Sequence, residues 1–204
     1  MKISNQKLLT KLTLSVCLSA ALSACAPVML GGFAMGTMVA VDRRTAGTQV
    51  EDQGIEVRGA NRFQDYLGER GHVNITSYNR QVLLTGEVPN AQDNQQVEQI
   101  ASKLENVRSV VNEIAVMEKT NLSQRSSDAL ITGKIKASLV DAKDLFASSF
   151  KVVTERGTSY LMGRVTQREA DRATEITRSI DGVKKVVRVL EIISEEELKA
   201  LTTK

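Results

Sequence analysis

Apolar residues stand four apart at Ile131, Ile135 and Leu139, then alternate with other residues around Val152, and the same change of period occurs earlier in the chain. Four-residue spacing marks one face of a helix, and alternation marks a strand with one buried side. Sliding the chain on itself lays "VNITSYNRQVLLTGEV" (73–88) over "FKVVTERGTSYLMGRV" (150–165) at an offset of 77. Val73 falls on Phe150, Leu84 on Leu161 and Gly86 on Gly163. After the next turn the offset becomes 76, and Ile100, Val107 and Val110 meet Ile176, Val183 and Val186. Upstream, the same 76 sets Ile55, Gly59 and Phe63 on Ile131, Ile135 and Leu139. One unit is therefore written twice.

Each copy predicts helix, strand, turn, strand, helix and strand. "TSYN" and "TERG" supply the turns, and Gly157 can take a positive φ in the second. The glycine inside each returning strand suggests a bulge or a close helix contact. Val97, Ala101 and Leu104, or Ala173, Ile176 and Ile180, give the second helix its apolar side, and "VVNEIAVM" and "VVRVLEII" close the copies. The predicted class is α+β: two tandem αββαβ domains, each with two helices on one face of a three-stranded mixed sheet. Their expected limits are 52–118 and 124–193, followed by an acidic tail over 194–204. Units this small lie near the lower limit for independent folding.

The N-terminus has a different pattern. Lys2, Lys7 and Lys11 precede the apolar run "LTLSVCLSAAL", which is shorter than the roughly 20 residues of a membrane-spanning helix. This is the layout of a secretory signal, here expected over 1–24. "Leu22-Ser23-Ala24-Cys25" resembles a bacterial lipobox, which implies acylation of Cys25 and attachment by two or three chains. Ala26, where an aspartate would favour the inner membrane, points to the outer one. Residues 25–51 are expected to be the lipidated anchor and an apolar linker, "PVMLGGFAMGTMVAV" either lying against the bilayer surface, the favoured reading, or simply flexible.

Removing the signal takes away three lysines and brings the formal charge from +3 to zero. The basic balance is thus a property of the signal and gives no argument for nucleic acid. Cys17 leaves with the signal and Cys25 is acylated, so no structural disulfide is expected. What remains is electrically split: residues 52–118 carry a net −4 and residues 119–193 a net +5.

"VLLTGEV", "VRSVVNEI", "YLMGRV" and "GVKKVVRVL" make each copy similar to the BON domain, a module of periplasmic and membrane-associated bacterial proteins. With the lipobox, "DRRTAGTQVED" and "RSSDALITGKIKASL", the chain resembles the dual-BON outer-membrane lipoproteins tied to envelope integrity and cell division. The resemblance implies that the second domain binds anionic phospholipid, notably phosphatidylglycerol, through its first helix. In this sequence that helix is read as starting at Asp128, capped by Ser126, Ser127 and Asp128 itself. Opposite its core residues stand Leu130, Gly133, Lys134 and Ala137, with Lys136 on the flank. Leu130 would enter among acyl chains and the lysines would meet phosphate, while Gly133 and Ala137 let headgroups approach the backbone. A member of the family carries tryptophan where this chain has Leu130, which keeps the wedge without the interfacial preference of an indole.

A second reading stands beside this one: a periplasmic scaffold, linking the outer membrane to envelope-assembly or cell-wall proteins, with the charge split as its docking code. Catalysis has little support. His72 is the only histidine and is read as a surface or edge residue, no cysteine stays free after processing, and "LGERG" and "GGFAMG" lack the context of a phosphate loop. No cofactor, metal or catalytic residue is assigned.

Overall fold

Thr45 opens the first helix of the computed structural model, which describes residues 42–202; the signal, Cys25 and the linker as far as residue 41 lie outside the described residues. The Thr45 hydroxyl accepts from the Thr48 amide, so α1 runs Ala46–Leu67 and begins before residue 52. After it come β1 (His72–Tyr78), β2 (Gln81–Val88), α2 (Ala91–Ser102), β3 (Ser109–Asn112) and β4 (Ala115–Val116). The second copy supplies α3 (Leu122–Asp141), a 3-10 turn (Ala147–Ser149), β5 (Phe150–Glu155), β6 (Thr158–Thr166), α4 (Gln167–Arg178) and β7 (Lys185–Ile193). Residues Glu195–Thr202, expected as a tail, form α5, whose Glu197 meets Arg164 on β6.

In each domain the first two strands form an antiparallel hairpin, and the last strand returns parallel to the second after a helical crossover. β7 pairs with β6 without interruption from Thr158↔Lys185 to Thr166↔Ile193. The equivalent strand of the first domain is broken between β3 and β4, unlike the single strand expected. Asn112 explains the break, because its carboxamide accepts from the Ile114 amide and donates to Asn94, while Asn94 donates to the Ile114 carbonyl. The second copy has Arg188 and Ala170 at those positions and keeps its ladder. The strand glycines also differ from expectation. A Cβ on Gly86 would stand 2.0 Å from the His72 carbonyl oxygen, and one on Gly163 would stand 2.4 Å from that of Ser149. The close approach is to the first residue of β1 in one copy and to the last residue of the 3-10 turn before β5 in the other, not to an α-helix.

A buried aspartate joins helix to hairpin in both copies. Asp52 of α1 accepts from the amides of Asn79 and Arg80 (both 2.8 Å) and from the Ser77 hydroxyl. Asp128 of α3 accepts from the amides of Arg156 and Gly157 (both 2.9 Å). All four turn residues have positive φ, as a two-residue hairpin turn of the twisted type requires. Their amides face inward, and the carboxylates satisfy donors that burial would otherwise leave unpaired. Asp128 is therefore no helix cap. Asn121 takes that part, accepting from the Gln124 amide at 2.8 Å, and it moves the start of α3 six residues upstream of the expected one.

The two sheets pack against each other through the faces their helices leave open. Val82, Leu84 and Val88 point to α1 and α2, while Leu161 and Val165 point to α3 and α4. The alternate residues Leu83, Tyr160 and Met162 form a third core with Tyr78 and Val189. The result is four layers, helices–sheet–sheet–helices, and the described residues belong to one compact unit. Polar contacts rim the seam: Arg156 meets fully buried Glu87 (2.5 Å), Asn79 donates to Glu191 (2.7 Å) and Asn74 to Glu155 (3.2 Å). Burial at the seam pushes the phenols of Tyr78 and Tyr160 up to about 12.

The residues before α1 strap the domains together. Arg44 lies over the Tyr78 ring and pairs with Asp42 and Asp52, whereas Arg43 crosses to the second domain. There it forms a forked pair with Glu169 (2.6 and 2.8 Å) and donates to the Arg164 carbonyl. Glu169 also completes the capping box of α4 with Thr166. Burial alone would raise the Glu169 carboxyl, but the Arg43 pair and the Thr166 amide hold it below its ordinary 4.5.

Asp128→Ala should destabilise the protein by about 2 kcal/mol or more, because two turn amides lose their acceptor; urea unfolding measures it. Arg43→Met should cost about 3 kcal/mol, since it leaves a buried carboxylate without its partner. The Glu169 contribution is complete above pH 4.5 and is lost as pH falls through the lowered folded value. Stability curves against pH should therefore show a shallower acid limb in the Arg43→Met protein.

Candidate functional site

The site begins with the face of α3 that the core does not use. Asp128, Ile131, Ile135 and Leu139 turn inward. A helix repeat of 3.6 residues places Leu130, Gly133 and Ala137 together on the other side, and all three are exposed. The sequence had grouped them so. Lys134 and Lys136 lie on opposite flanks of this stripe, exposed and with no ion pair among the described residues. Leu130 is 70 % exposed, and the space where a Cβ of Gly133 would lie is open, with nothing within 4 Å.

The stripe is longer than the sequence reading had it. Leu122 (77 % exposed) extends it one way and Val140 (70 %) the other, with Ala129 between them and Phe146 exposed just beyond the helix. A helix starting at Asp128 leaves Leu122 out of the stripe, whereas one starting at Leu122 includes it. The signal was available in Asn121, a good capping residue, and in the seven-residue intervals that join Leu122, Ala129 and Val140 to the outward face. Further cations stand near one flank. The Gly182 backbone packs on α3, where an added Cβ would come within 2.7 Å of Ile131, and the Lys184 side chain covers Gly157. Lys184 and Lys185 are both exposed and have no ion pair among the described residues.

The equivalent helix of the first domain has a different surface. Gly54 replaces Leu130, Ala60 replaces Lys136, and Arg58, at the place of Lys134, is held by Glu51 at 2.7 Å. Val50 and Val57 are exposed there, and of the two cations on that helix Arg62 is exposed with no ion pair among the described residues, nearer the core side than the two valines. The repeat thus keeps its fold in both copies, while α3 alone of the two first helices carries lysines beside its outward apolar ridge, with no ion pair among the described residues.

Among the described residues no cluster of three or more histidines, cysteines or acids could hold a metal, and no helix is long and apolar enough to cross a membrane. His72, the first residue of the edge strand β1, is half-buried, with burial lowering its pKa.

Known proteins of similar sequence give the context of this surface. Outer membrane lipoprotein DolP of Haemophilus influenzae is 36 % identical over 174 residues, which is 84 % of this chain and 90 % of that protein. The 21 kDa hemolysin of Actinobacillus pleuropneumoniae is 37 % identical over 155 residues, covering 75 % of this chain and 80 % of the other. Among solved structures, CdsD of the Chlamydia trachomatis type III secretion system covers 71 % of this chain and 97 % of its own at 13 % identity, with a TM-score of 0.30, a likeness too weak to carry an argument. The BON domain profile matches residues 51–118 and 127–194, one match on each of the two packed units. With two such units and relatives of this identity and coverage, the chain belongs to the BON-domain family, as a tandem-BON homologue of the DolP lipoproteins.

Proposed function

We propose that this protein, an outer-membrane lipoprotein facing the periplasm, binds anionic phospholipid such as phosphatidylglycerol through the outward face of α3, and so supports envelope integrity. The observation that carries the reading is the combination on one helix of exposed Leu122, Leu130 and Val140 with Lys134 and Lys136, which have no ion pair among the described residues. An amphipathic surface of this kind rests at the level of headgroups and upper acyl chains, its apolar ridge among the chains and its cations among phosphates. Glycine inside a helix costs about 1 kcal/mol relative to alanine. At Gly133 no neighbouring atom requires the missing side chain. Close approach of a headgroup to the backbone gives it a reason.

Acylation of Cys25 would keep the second domain beside the leaflet, so a weak interaction would suffice to orient it. A lysine close to an anionic surface contributes about 1 kcal/mol, or about fivefold in affinity. The charge split has the same sense, since the half carrying α3 is the positive one.

Cosedimentation of a soluble chain of residues 42–204 with liposomes tests this proposal. Binding should require phosphatidylglycerol and should fall on going from low to moderate salt. Lys134→Gln should weaken it about fivefold, and Leu130→Asp more strongly. Both variants should melt with the parent protein, because exposed positions away from caps and pairs usually shift stability by no more than about 0.5 kcal/mol. Equal pelleting with neutral and anionic liposomes, or none with either, would remove the lipid reading.

A further inference from the structure

Beside the C-terminal half of α3 lies a slot of about 240 Å³, walled by Val140, Ala147, Phe150 and Val152. Lys136 lines it, and so does Ser148, with a buried hydroxyl that has no hydrogen-bond partner among the described residues. We infer that this slot receives the upper part of one acyl chain of an anionic phospholipid, drawn out of the leaflet, with the lipid phosphate on Lys136. The inference rests on the lipid reading above and adds to it a defined place for the chain.

Three features point to this occupant. The slot continues the exposed ridge, because Val140 belongs to both, so a lipid touching the ridge needs no new surface to reach it. Its lining holds the kinds of group a phospholipid meets: a cation for the phosphate, a hydroxyl able to donate to an ester carbonyl, and apolar walls. Its size is below the about 300 Å³ at which pockets begin to enclose a whole small molecule, so it fits a segment of one chain. The floor is fixed, since Val152 and Phe150 belong to the core strand β5 and are buried.

The test uses methyl-resolved NMR of residues 42–204 with bicelles containing phosphatidylglycerol that carries a nitroxide near the ester end of one chain. Broadening of the Val152 and Ala147 methyl signals is the expected result, since neither lies on the outward ridge. Broadening confined to Leu122 and Leu130 would overturn the slot and leave the surface reading standing. No broadening anywhere would overturn both. Ala147→Leu, which fills the slot, should reduce binding to phosphatidylglycerol vesicles at least fivefold without lowering the melting temperature; unchanged binding by a folded variant would also overturn the slot. If that variant fails to fold, the nitroxide experiment on the unaltered sequence decides by itself.

Discussion

The contact between the two sheets is the constraint on which the rest of this molecule depends. A three-stranded sheet with helices on one side leaves its other side open, and in both domains that side is apolar at its centre. Leu83, Tyr160 and Met162 have no other place to go than against one another. Each domain alone would present this face to water, and each is too small to bear the loss easily. Joined, they bury both faces of β2 and β6, and the two small cores become parts of one body.

That packing decides which surfaces remain available. With the open sheet faces used up, outward presentation falls to the helices, and α3 is the one of the two first helices whose exposed apolar residues stand beside lysines. The polar groups around the seam then have a dual part. Glu87 and Arg156, or Arg43 and Glu169, pair charges that burial would otherwise penalise, and they fix the register of one domain on the other. The Arg43 strap has a further consequence, because it ties the residues just before α1 to the domain that carries α3.

The repeat kept its architecture while the details of its two copies separated. Asp52 and Asp128 hold their hairpin turns by the same hydrogen bonds, which is a demand of the fold itself. Asn94 and Asn112 break the last strand of one copy only. The outward faces of α1 and α3 differ most, as positions free of packing can. A residue such as Gly133, with open space around it, is under no structural demand and is informative for that reason.

By itself the sequence determined the repeat, the order of elements in each unit, the inward faces of the helices and the shared outward side of Leu130, Gly133 and Ala137. These depend on local periodicity, which the backbone geometry of helix and strand imposes wherever apolar residues recur. Only the tertiary structure decided that Asp128 serves a hairpin and Asn121 the helix end, since a carboxylate near a helix start reads as a cap until its distant partners are known. The strand glycines were likewise legible as close approaches but not as to what approaches them. The seam between the sheets, the crossing of Arg43 to Glu169 and the slot beside Val140 join residues far apart in sequence. Periodicity says which side of a strand is apolar; it says nothing of what covers it, because that is settled by the packing of whole surfaces.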